Sequence, residues 1–411
     1  MIRAPEMPPT GRHGSPASSI RPNSSRRPLR VLHVINSLGV GGAEALLYRL
    51  VAQPTETEHH IICLRSRDWF SPLIEKGGTP LEHLEMAAGP GALAAIRRLG
   101  SRVRDLRPDV IQAWMYGANL SAGVWGKMYG VPVVWGIHHS TLETLRWQSR
   151  SLVYLGGSVA RWVPSMIVNC SSRSAEVHSK VVGFKAAPSK VIYNGYDPNE
   201  FYPDQASRAA SRKSLGIGEQ DFLIGSIGRW HPQKDIPNLL RAVKLVRDRG
   251  IAMKCLLIGN NLGPGNAQLE EALAATGTRG PVEPLGRRAD VVELARSLDL
   301  HVLASADGEA FPNVVAETML SGTPNVVTDV GDAAMMVGET GWVVPPRQPE
   351  QLAAAIEDAY RERSDAPKRW QKRRRDARRR IADSFTLEKM AKAYEAVWRE
   401  MAAAANRGQS V

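Results

Sequence analysis

The run Ser305-Ala-Asp-Gly-Glu-Ala-Phe-Pro-Asn-Val-Val-Ala-Glu-Thr-Met-Leu-Ser-Gly-Thr-Pro324 decides how the whole chain is read. It lies between two apolar runs, Leu298-Asp-Leu-His-Val-Leu-Ala304 and Asn325-Val-Val-Thr328, and each reads as a buried strand. The segment between them is predicted to be a loop and then a short helix opened by Pro312, whose missing N–H is unneeded in a first turn. Glu309 falls in the loop and Glu317 inside the helix, with seven residues between them. A helix N-terminus offers free N–H groups and a positive dipole end, which suit a diphosphate. Carboxylates repel phosphate, so Glu309 and Glu317 are expected to accept hydrogen bonds from hydroxyls, one on a ribose and one on a sugar ring. A nucleotide-sugar combines all three groups.

Outward from this stretch, short apolar runs alternate with helical segments. Arg30-Val-Leu-His-Val-Ile-Asn-Ser37, His60-Ile-Ile-Cys-Leu64, Asp109-Val-Ile-Gln-Ala113, Val131-Pro-Val-Val-Trp-Gly-Ile137 and Met166-Ile-Val-Asn-Cys170 read as core strands. Helical pattern falls between them over 93–106, 119–129 and 176–182. A second series begins with Asp221-Phe-Leu-Ile-Gly-Ser-Ile-Gly228 and continues with Cys255-Leu-Leu-Ile-Gly259. With 411 residues, 43% of them hydrophobic, the chain can bury two cores. Repeated βα units predict an α/β protein of two doubly wound, Rossmann-like domains, with ligand crevices at the strand carboxyl ends. The chain is expected to change domain between Asn194 and Arg208, where Pro198, Pro203 and charged residues interrupt the pattern.

Three loops at strand ends add candidate groups. Gly39-Val-Gly-Gly-Ala-Glu44 follows the first strand and opens a helix that runs through Leu50. Its glycines, Gly41 and Gly42, leave N–H groups free for an oxyanion, although a tight turn without a ligand needs the same residues. The full Gly-x-Gly-x-x-Gly dinucleotide fingerprint is not met. His138 and His139 sit at the end of another strand. Arg229-Trp-His-Pro-Gln-Lys234 joins a strand to a helix starting near Asn238. Its two cations would clamp a diphosphate and offset the charge that grows on it as a bond to it breaks.

The central stretch resembles the Glu-x7-Glu signature of retaining glycosyltransferases of family four, the glycosyl transferases group 1, which have the GT-B fold. The usual run is close to Gly-Glu-Gly-Phe-Pro-Asn-Val-x-x-Glu-Ala-Met-Ala-x-Gly-x-Pro, and this chain departs from it at Ala310, Thr318 and Leu320. Ala310 stands where a glycine backbone approaches the donor closely, which puts the loop geometry in question. Matching motifs run in order from Arg30 to Trp398. Gln112-Ala-Trp-Met-Tyr-Gly-Ala-Asn119 with Trp135-Gly-Ile-His-His-Ser140 resembles a bacterial surface-polysaccharide branch of the family.

The resemblance implies roles for these residues. Arg229 and Lys234 would stabilise a leaving diphosphate, Glu317 would hold the ribose, and Glu309 the hydroxyls of the donor sugar. His138, or its neighbour His139, would contact the sugar near its reacting carbon, and Gly41 and Gly42 would let substrate approach the backbone. Phe311, Pro312 and Asn313 belong to the matching run, and Arg288 closes the turn Leu285-Gly-Arg-Arg288 whose backbone meets the base. All four are counted with the donor-binding residues. Residues 30–200 would bind the acceptor and 201–383 the nucleotide-sugar. Residues 384–411, amphipathic through Phe385, Met390, Tyr394, Val397 and Trp398, would return as a helix to the first domain. The implied reaction is hexosyl transfer, with retention, from a UDP- or GDP-sugar to a saccharide or polyprenyl-linked saccharide, without a cofactor. An NDP-sugar 2-epimerase and a non-catalytic sugar-binding protein on the same fold stay open.

Charge and composition narrow the partners. A formal net charge of +12 and a pI near 9.8 favour nucleotide phosphates and an anionic membrane surface. Nucleic acid is not expected, because no known motif or aromatic interleaving accompanies the basic residues. Cys63, Cys170 and Cys255 follow no metal or disulfide spacing, which fits a reduced cytoplasmic protein. No Asp-x-Asp motif occurs, so no metal is expected at the diphosphate. No apolar run nears the ~20 residues that span a bilayer, so any membrane contact is expected to be peripheral, on the inner face. Residues 1–29 are rich in Pro, Ser and Arg and read as a disordered tail, with a transit peptide as the rival that their prolines oppose. The run from Lys368 to Arg380 holds nine Lys or Arg and one Asp, leaving Trp370, Ala377 and Ile381 to bury. It reads either as a solvated helix or as a lipid-phosphate patch.

Overall fold

The computed structural model describes residues 27–87, 90–142, 147–181 and 183–408. Seven parallel strands form the first sheet: β1 (Arg30–Ile35), β2 (Glu58–Cys63), β3 (Leu81–His83), β4 (Val110–Trp114), β5 (Val133–Ile137), β6 (Met166–Asn169) and β7 (Ser189–Val191). Their order is β3-β2-β1-β4-β5-β6-β7. Every residue of β4 and β5 is buried, as expected of strands covered on both faces. The covering helices are α1 (Gly42–Val51), α2 (Ser71–Lys76), α3 (Pro90–Leu106), α4 (Met115–Tyr129), α5 (Trp147–Val159) and α6 (Ser172–Ser179).

Six parallel strands form the second sheet: β8 (Leu223–Arg229), β9 (Lys254–Asn260), β10 (Val282–Gly286), β11 (Leu300–Leu303), β12 (Asn325–Thr328) and β13 (Trp342–Val344), in the order β10-β9-β8-β11-β12-β13. Its helices are α7 (Gln205–Ser214), α8 (Ile236–Asp248), α9 (Ala267–Thr276), α10 (Val291–Ser297), α11 (Asn313–Leu320), α12 (Ala333–Val337) and α13 (Pro349–Asp365). Two more close the chain, α14 (Pro367–Ser384) and α15 (Leu387–Gly408). In each sheet the strand order reverses once, between β1 and β4 and between β8 and β11. The loops that leave such a pair diverge and open a crevice above the carboxyl ends.

Several elements differ from the sequence reading for local reasons. α4 starts at Met115, directly after β4, and ends at Gly130, whose φ of 68° is the left-handed cap that glycine allows. α6 starts at Ser172 because the Ser171 hydroxyl accepts the N–H of Ser174 as an N-cap. α5 has no counterpart among the expected helices. Of the segment expected to be a tail, residues 1–26 lie outside the described residues. Leu29, by contrast, is in the core, and Arg27 pairs with Asp109 at 2.5 Å.

The chain crosses between the domains twice, and the two crossings touch. Tyr196 N–H donates to the Phe385 carbonyl at 2.9 Å, and Leu387 N–H to that of Tyr196 at 3.1 Å. A Cβ on Gly195 would stand 2.6 Å from the Thr386 carbonyl, so this contact admits only glycine. α15 then packs on the first domain, where Met390, Tyr394, Val397 and Trp398 join the core of β1, β4 and α1. The indole of Trp398 donates to Gln112 Oε1 at 3.0 Å.

The basic run is α14, with Trp370, Ala377 and Ile381 buried. Lys368, Arg369, Lys372, Arg375 and Arg379 are exposed to solvent, whereas the other four arginines reach back into the domain. Arg378 donates to the carbonyls of Leu320 (2.6 Å), Phe201 (2.7 Å) and Pro198 (3.0 Å). Arg374 reaches Gly322, Arg380 reaches Met335 and Met336, and Arg373 forms a fork with Glu362 at 2.8 Å. Leu320 ends α11, so Arg378 satisfies a carbonyl that a helix terminus leaves open.

Candidate active site

A pocket of about 560 Å³ lies between the domains, above both strand-order reversals. Its floor on the second domain is the decisive stretch. Gly308, at φ 75°, turns the chain after β11, and Ala310 takes no positive φ, so its departure from glycine costs no backbone strain. Pro312 sits just ahead of α11 as its N-cap rather than inside the first turn. Asn313 and Val314 begin α11 at the pocket wall, and Glu317 follows one turn on. Across the pocket, α1 begins at Gly42 with no side-chain cap, and Gly42, Ala43 and Glu44 line the wall. Two helix N-termini therefore face one space, and both carry positive dipole ends.

The charged groups are paired in a definite way. Lys234 Nζ contacts Glu309 Oε1 at 2.5 Å, and the Ser305 hydroxyl donates to the same oxygen at 2.7 Å. Glu317 accepts from Arg49 of α1 at 3.0 Å, an ion pair that spans the two domains. Arg229 is exposed at the rim, where its guanidinium donates to Gln233 at 3.2 Å. The positive charge available to an incoming anion is thus Arg229 and the helix ends, with Lys234 available once it loosens from Glu309.

His138 directly follows β5, over the pocket. Its ring stacks on Trp114 at 5.2 Å, and its Nε2 is shut off from solvent without a hydrogen-bond partner. Desolvation lowers its pKa to about 4, so the imidazole is uncharged at neutral pH. His139 also lines the pocket, and burial lowers its pKa, followed by the nearby Arg229 cation.

The expected residues separate into three groups. Gly42, His138, Arg229, Lys234, Glu309, Pro312, Asn313 and Glu317 meet in this pocket. Phe311 touches it but is mainly core, ringed by Tyr193, Tyr196 and Phe385. Asn313 is partly committed as well, since its Oδ1 accepts from Asn194 (2.9 Å) and from the Tyr196 hydroxyl (2.8 Å). Gly41 is the N-cap just behind Gly42. The Arg288 side chain is not part of the pocket: it forks onto Asp290 at 2.7 and 2.8 Å.

Contacts from the first domain escaped the sequence reading. Arg49 is the clearest, and its only signal is a cation two helical turns after Gly42, beside the buried Leu46, Leu47 and Leu50. The Ser140 hydroxyl donates to the Glu309 carbonyl across the cleft. Asp332 of the second domain caps α6 of the first, accepting from Ser172 N (2.7 Å) and Arg173 N (2.9 Å). A larger cavity, about 1140 Å³, adjoins the pocket at Gly308 and lies between Ser140–Leu142, α6 and the Asp329–Asp332 turn. Among the described residues no group of His, Cys, Asp and Glu is arranged to hold a metal ion.

Two Rossmann-like domains with a polar pocket at both strand-order reversals define a GT-B protein, and solved structures of that class superpose on it. Residues 40–200 match the Glycosyltransferase Family 4 model and residues 221–362 match Glycosyl transferases group 1. The chain is thus built from a Family 4 glycosyltransferase domain followed by a group 1 glycosyltransferase domain. It is 23% identical to the putative glycosyltransferase EpsF of Bacillus subtilis, over 75% of this chain and 80% of that protein. It is 24% identical to the lipopolysaccharide core biosynthesis mannosyltransferase LpsB of Rhizobium meliloti, over 74% of this chain and 90% of that protein. Anabaena Alr3699/HepE, solved in complex with UDP-glucose, superposes with a TM-score of 0.79 at 22% identity, covering 90% of this chain and all of that one.

Proposed function

We propose that the protein transfers a hexosyl unit from a UDP- or GDP-sugar to a saccharide acceptor carried on a polyprenyl lipid, with retention of configuration, in surface-polysaccharide assembly. One observation carries this reading. A single interdomain pocket gathers two cations, three carboxylates (Glu44, Glu309 and Glu317), two helix N-termini and a neutral histidine. The relationship to LpsB, named for lipopolysaccharide core biosynthesis, supports the polysaccharide role, and the UDP-glucose complex of HepE supports the donor class.

In this reading Arg229, Lys234 and the N-termini of α1 and α11 receive the diphosphate. Lys234 exchanges its contact with Glu309 for one with phosphate, and the freed carboxylate accepts hydroxyls of the donor sugar. Glu317, steadied by Arg49, accepts the ribose hydroxyls through its other oxygen. The His138 ring, which lines the pocket, meets the transferred sugar. The bond from the anomeric carbon to the phosphate oxygen breaks while the acceptor oxygen bonds on the same face. The acceptor's proton passes to the departing phosphate oxygen. No metal or cofactor is assigned a part, since the two cations hold the developing charge.

A panel of NDP-sugars tested by thermal melting checks the donor, because a ligand that binds only the folded state raises the melting temperature. One NDP-sugar should stand out, and Lys234→Ala should abolish the rise. A flat response across UDP- and GDP-sugars would overturn the reading. NMR of the product's anomeric proton tests retention, and activity in EDTA tests the metal-free assignment. Turnover without any acceptor would favour an epimerase instead.

A further inference from the structure

The outer face of the first domain is apolar where a protein surface is ordinarily polar. α5 turns Val153, Gly156 and Gly157 inward and Trp147, Tyr154 and Leu155 outward, and Trp162 follows in the turn beyond it. Trp147 is 76% exposed and Trp162 62%. On α4, Val124 and Met128 stand exposed one turn apart with Tyr129 beside them, and Leu93 is exposed on α3. These three helices form one layer over the cluster that includes Leu99, Ala122 and Val153. Eight of the twelve large apolar side chains exposed among the described residues belong to this layer. An apolar patch of this kind marks an interaction surface.

Its charge is one-sided as well. From Pro90 to Ala175 the sequence holds ten Lys or Arg and three Asp or Glu; Arg98 and Arg102 are paired with Glu82, Arg104 with Asp105 and Arg173 with Glu176, and the excess rests on the others. Lys127, Arg150 and Arg161 are exposed beside the aromatic residues, without an acidic partner among the described residues. In α14, by contrast, Arg374, Arg378 and Arg380 are held by carbonyls. Among the described residues Lys127, Arg150 and Arg161 have no partner of their own and are available to something outside the chain.

We propose that the α3–α5 layer docks the protein on an anionic lipid bilayer. Tryptophan and tyrosine settle at headgroup depth, where the ring body is apolar and the polar edge stays wet. Guanidinium groups beside them are drawn to acidic headgroups. A second copy of the chain fits the layer poorly, because a two-fold contact sets a patch against itself and would oppose its cations. The placement also serves the site. Tyr154 lines the 1140 Å³ cavity that adjoins the donor pocket, so docking brings the cavity mouth to the membrane. Delivery of a lipid-carried acceptor there rests on the function proposed above, whereas docking itself does not.

Sedimentation of the full chain with phosphatidylcholine vesicles, with and without phosphatidylglycerol, tests this. The protein should pellet with the anionic vesicles and be released by high salt. Trp147→Ser with Leu155→Ser and Trp162→Ser, and separately Arg150→Glu with Arg161→Glu, should each lower the partition about tenfold or more. Both variants should keep the melting temperature and the NDP-sugar response, which excludes misfolding and separates a failure of docking from a failure of the donor assignment. Absence of pelleting by the unaltered protein would overturn the proposal, as would pelleting that neither variant reduces. So would a dimer in sedimentation equilibrium that the tryptophan variant dissolves while vesicles bind nothing.

Discussion

The two domains share one plan of sheet and helices but satisfy their buried polar groups by different means. The second domain uses arginine on backbone carbonyls: Arg208 on Arg296, Ser297 and Leu298, Arg212 on Gly218 and Asp221, and Arg378 on three more, with Arg208 and Arg212 also sharing the buried carboxylate of Asp299. In the first domain the hydrogen-bonded arginines, such as Arg30, Arg67 and Arg102, sit at the surface on carboxylates. Its interior relies on neutral histidines instead. His33 and His59 share a 2.9 Å hydrogen bond, and His178 joins Tyr116 to the Ser174 carbonyl. An arginine on a carbonyl is indifferent to pH, since neither group titrates between pH 4 and pH 8. A buried neutral histidine is not.

Acid should therefore strike the first domain first, and this is the largest expected effect. Trp114 Nε1 donates to His33 Nδ1 at 3.2 Å, so His33 Nε2 carries the proton that His59 Nδ1 accepts. A second proton on His33 would point at the indole N–H. Burial holds the pKa of His33 well below its usual value and lowers those of His59 and His178 to about 4. The unfolded chain takes up these protons near pH 6.5, so stability is complete above that pH and falls as pH drops toward 4. Full titration of His59 or His178 costs about 3 kcal/mol over that range. The second domain has one comparable residue, His301. Hydrogen exchange at pH 7 and pH 4.5 should show amides of 30–190 losing protection ahead of those of 221–345. Equal loss in both would break the comparison.

Next in size is the removal of a carbonyl-bound arginine. Arg378→Ala leaves three acceptors without their donor and should cost about 2–4 kcal/mol. The loss should appear as a lower melting temperature, nearly the same at low and high salt, because the partners carry no net charge. A cost that vanished in high salt would mean that the run acts through its charge after all. Arg49→Ala is smaller. Its ion pair with Glu317 is one-fifth exposed, and its loss should cost about 1 kcal/mol in stability. It should also weaken NDP-sugar binding by freeing the Glu317 carboxylate to rotate, an effect that calorimetry would detect.

The same contrast explains what was legible in the sequence. The central β strands read clearly because their residues are largely apolar, whereas the edge strands β3, β7 and β10 are short and mixed and leave no such run; the loops after the central strands hold Arg229, Lys234 and Glu309. Arg49 was not legible: its partner lies 268 residues away, and nothing local marks the pair. The basic run of α14 has a composition that suits solvent or lipid, because carbonyl acceptors leave no mark in a sequence. α5 was missed for the opposite reason. Its apolar residues face outward and its inner face is glycine and valine, so the inward stripe that betrays most surface helices is absent.

The smallest effect is expected where the comparison is sharpest. Arg150 and Arg161 are arginines like Arg378, and a count of charges gives all three the same weight. Arg378 has three carbonyl acceptors, whereas Arg150 and Arg161 are exposed without a partner among the described residues. Arg150→Ala and Arg161→Ala should change stability by no more than about 0.5 kcal/mol. Removing a cation from a region of ten Lys or Arg against three acids could even raise the melting temperature slightly at low salt, by relieving repulsion. A fall comparable to that of Arg378→Ala would show that these cations also hold the fold together. Their charge would then no longer be free for an outside partner, and the difference between the two domains would reduce to one of helix position.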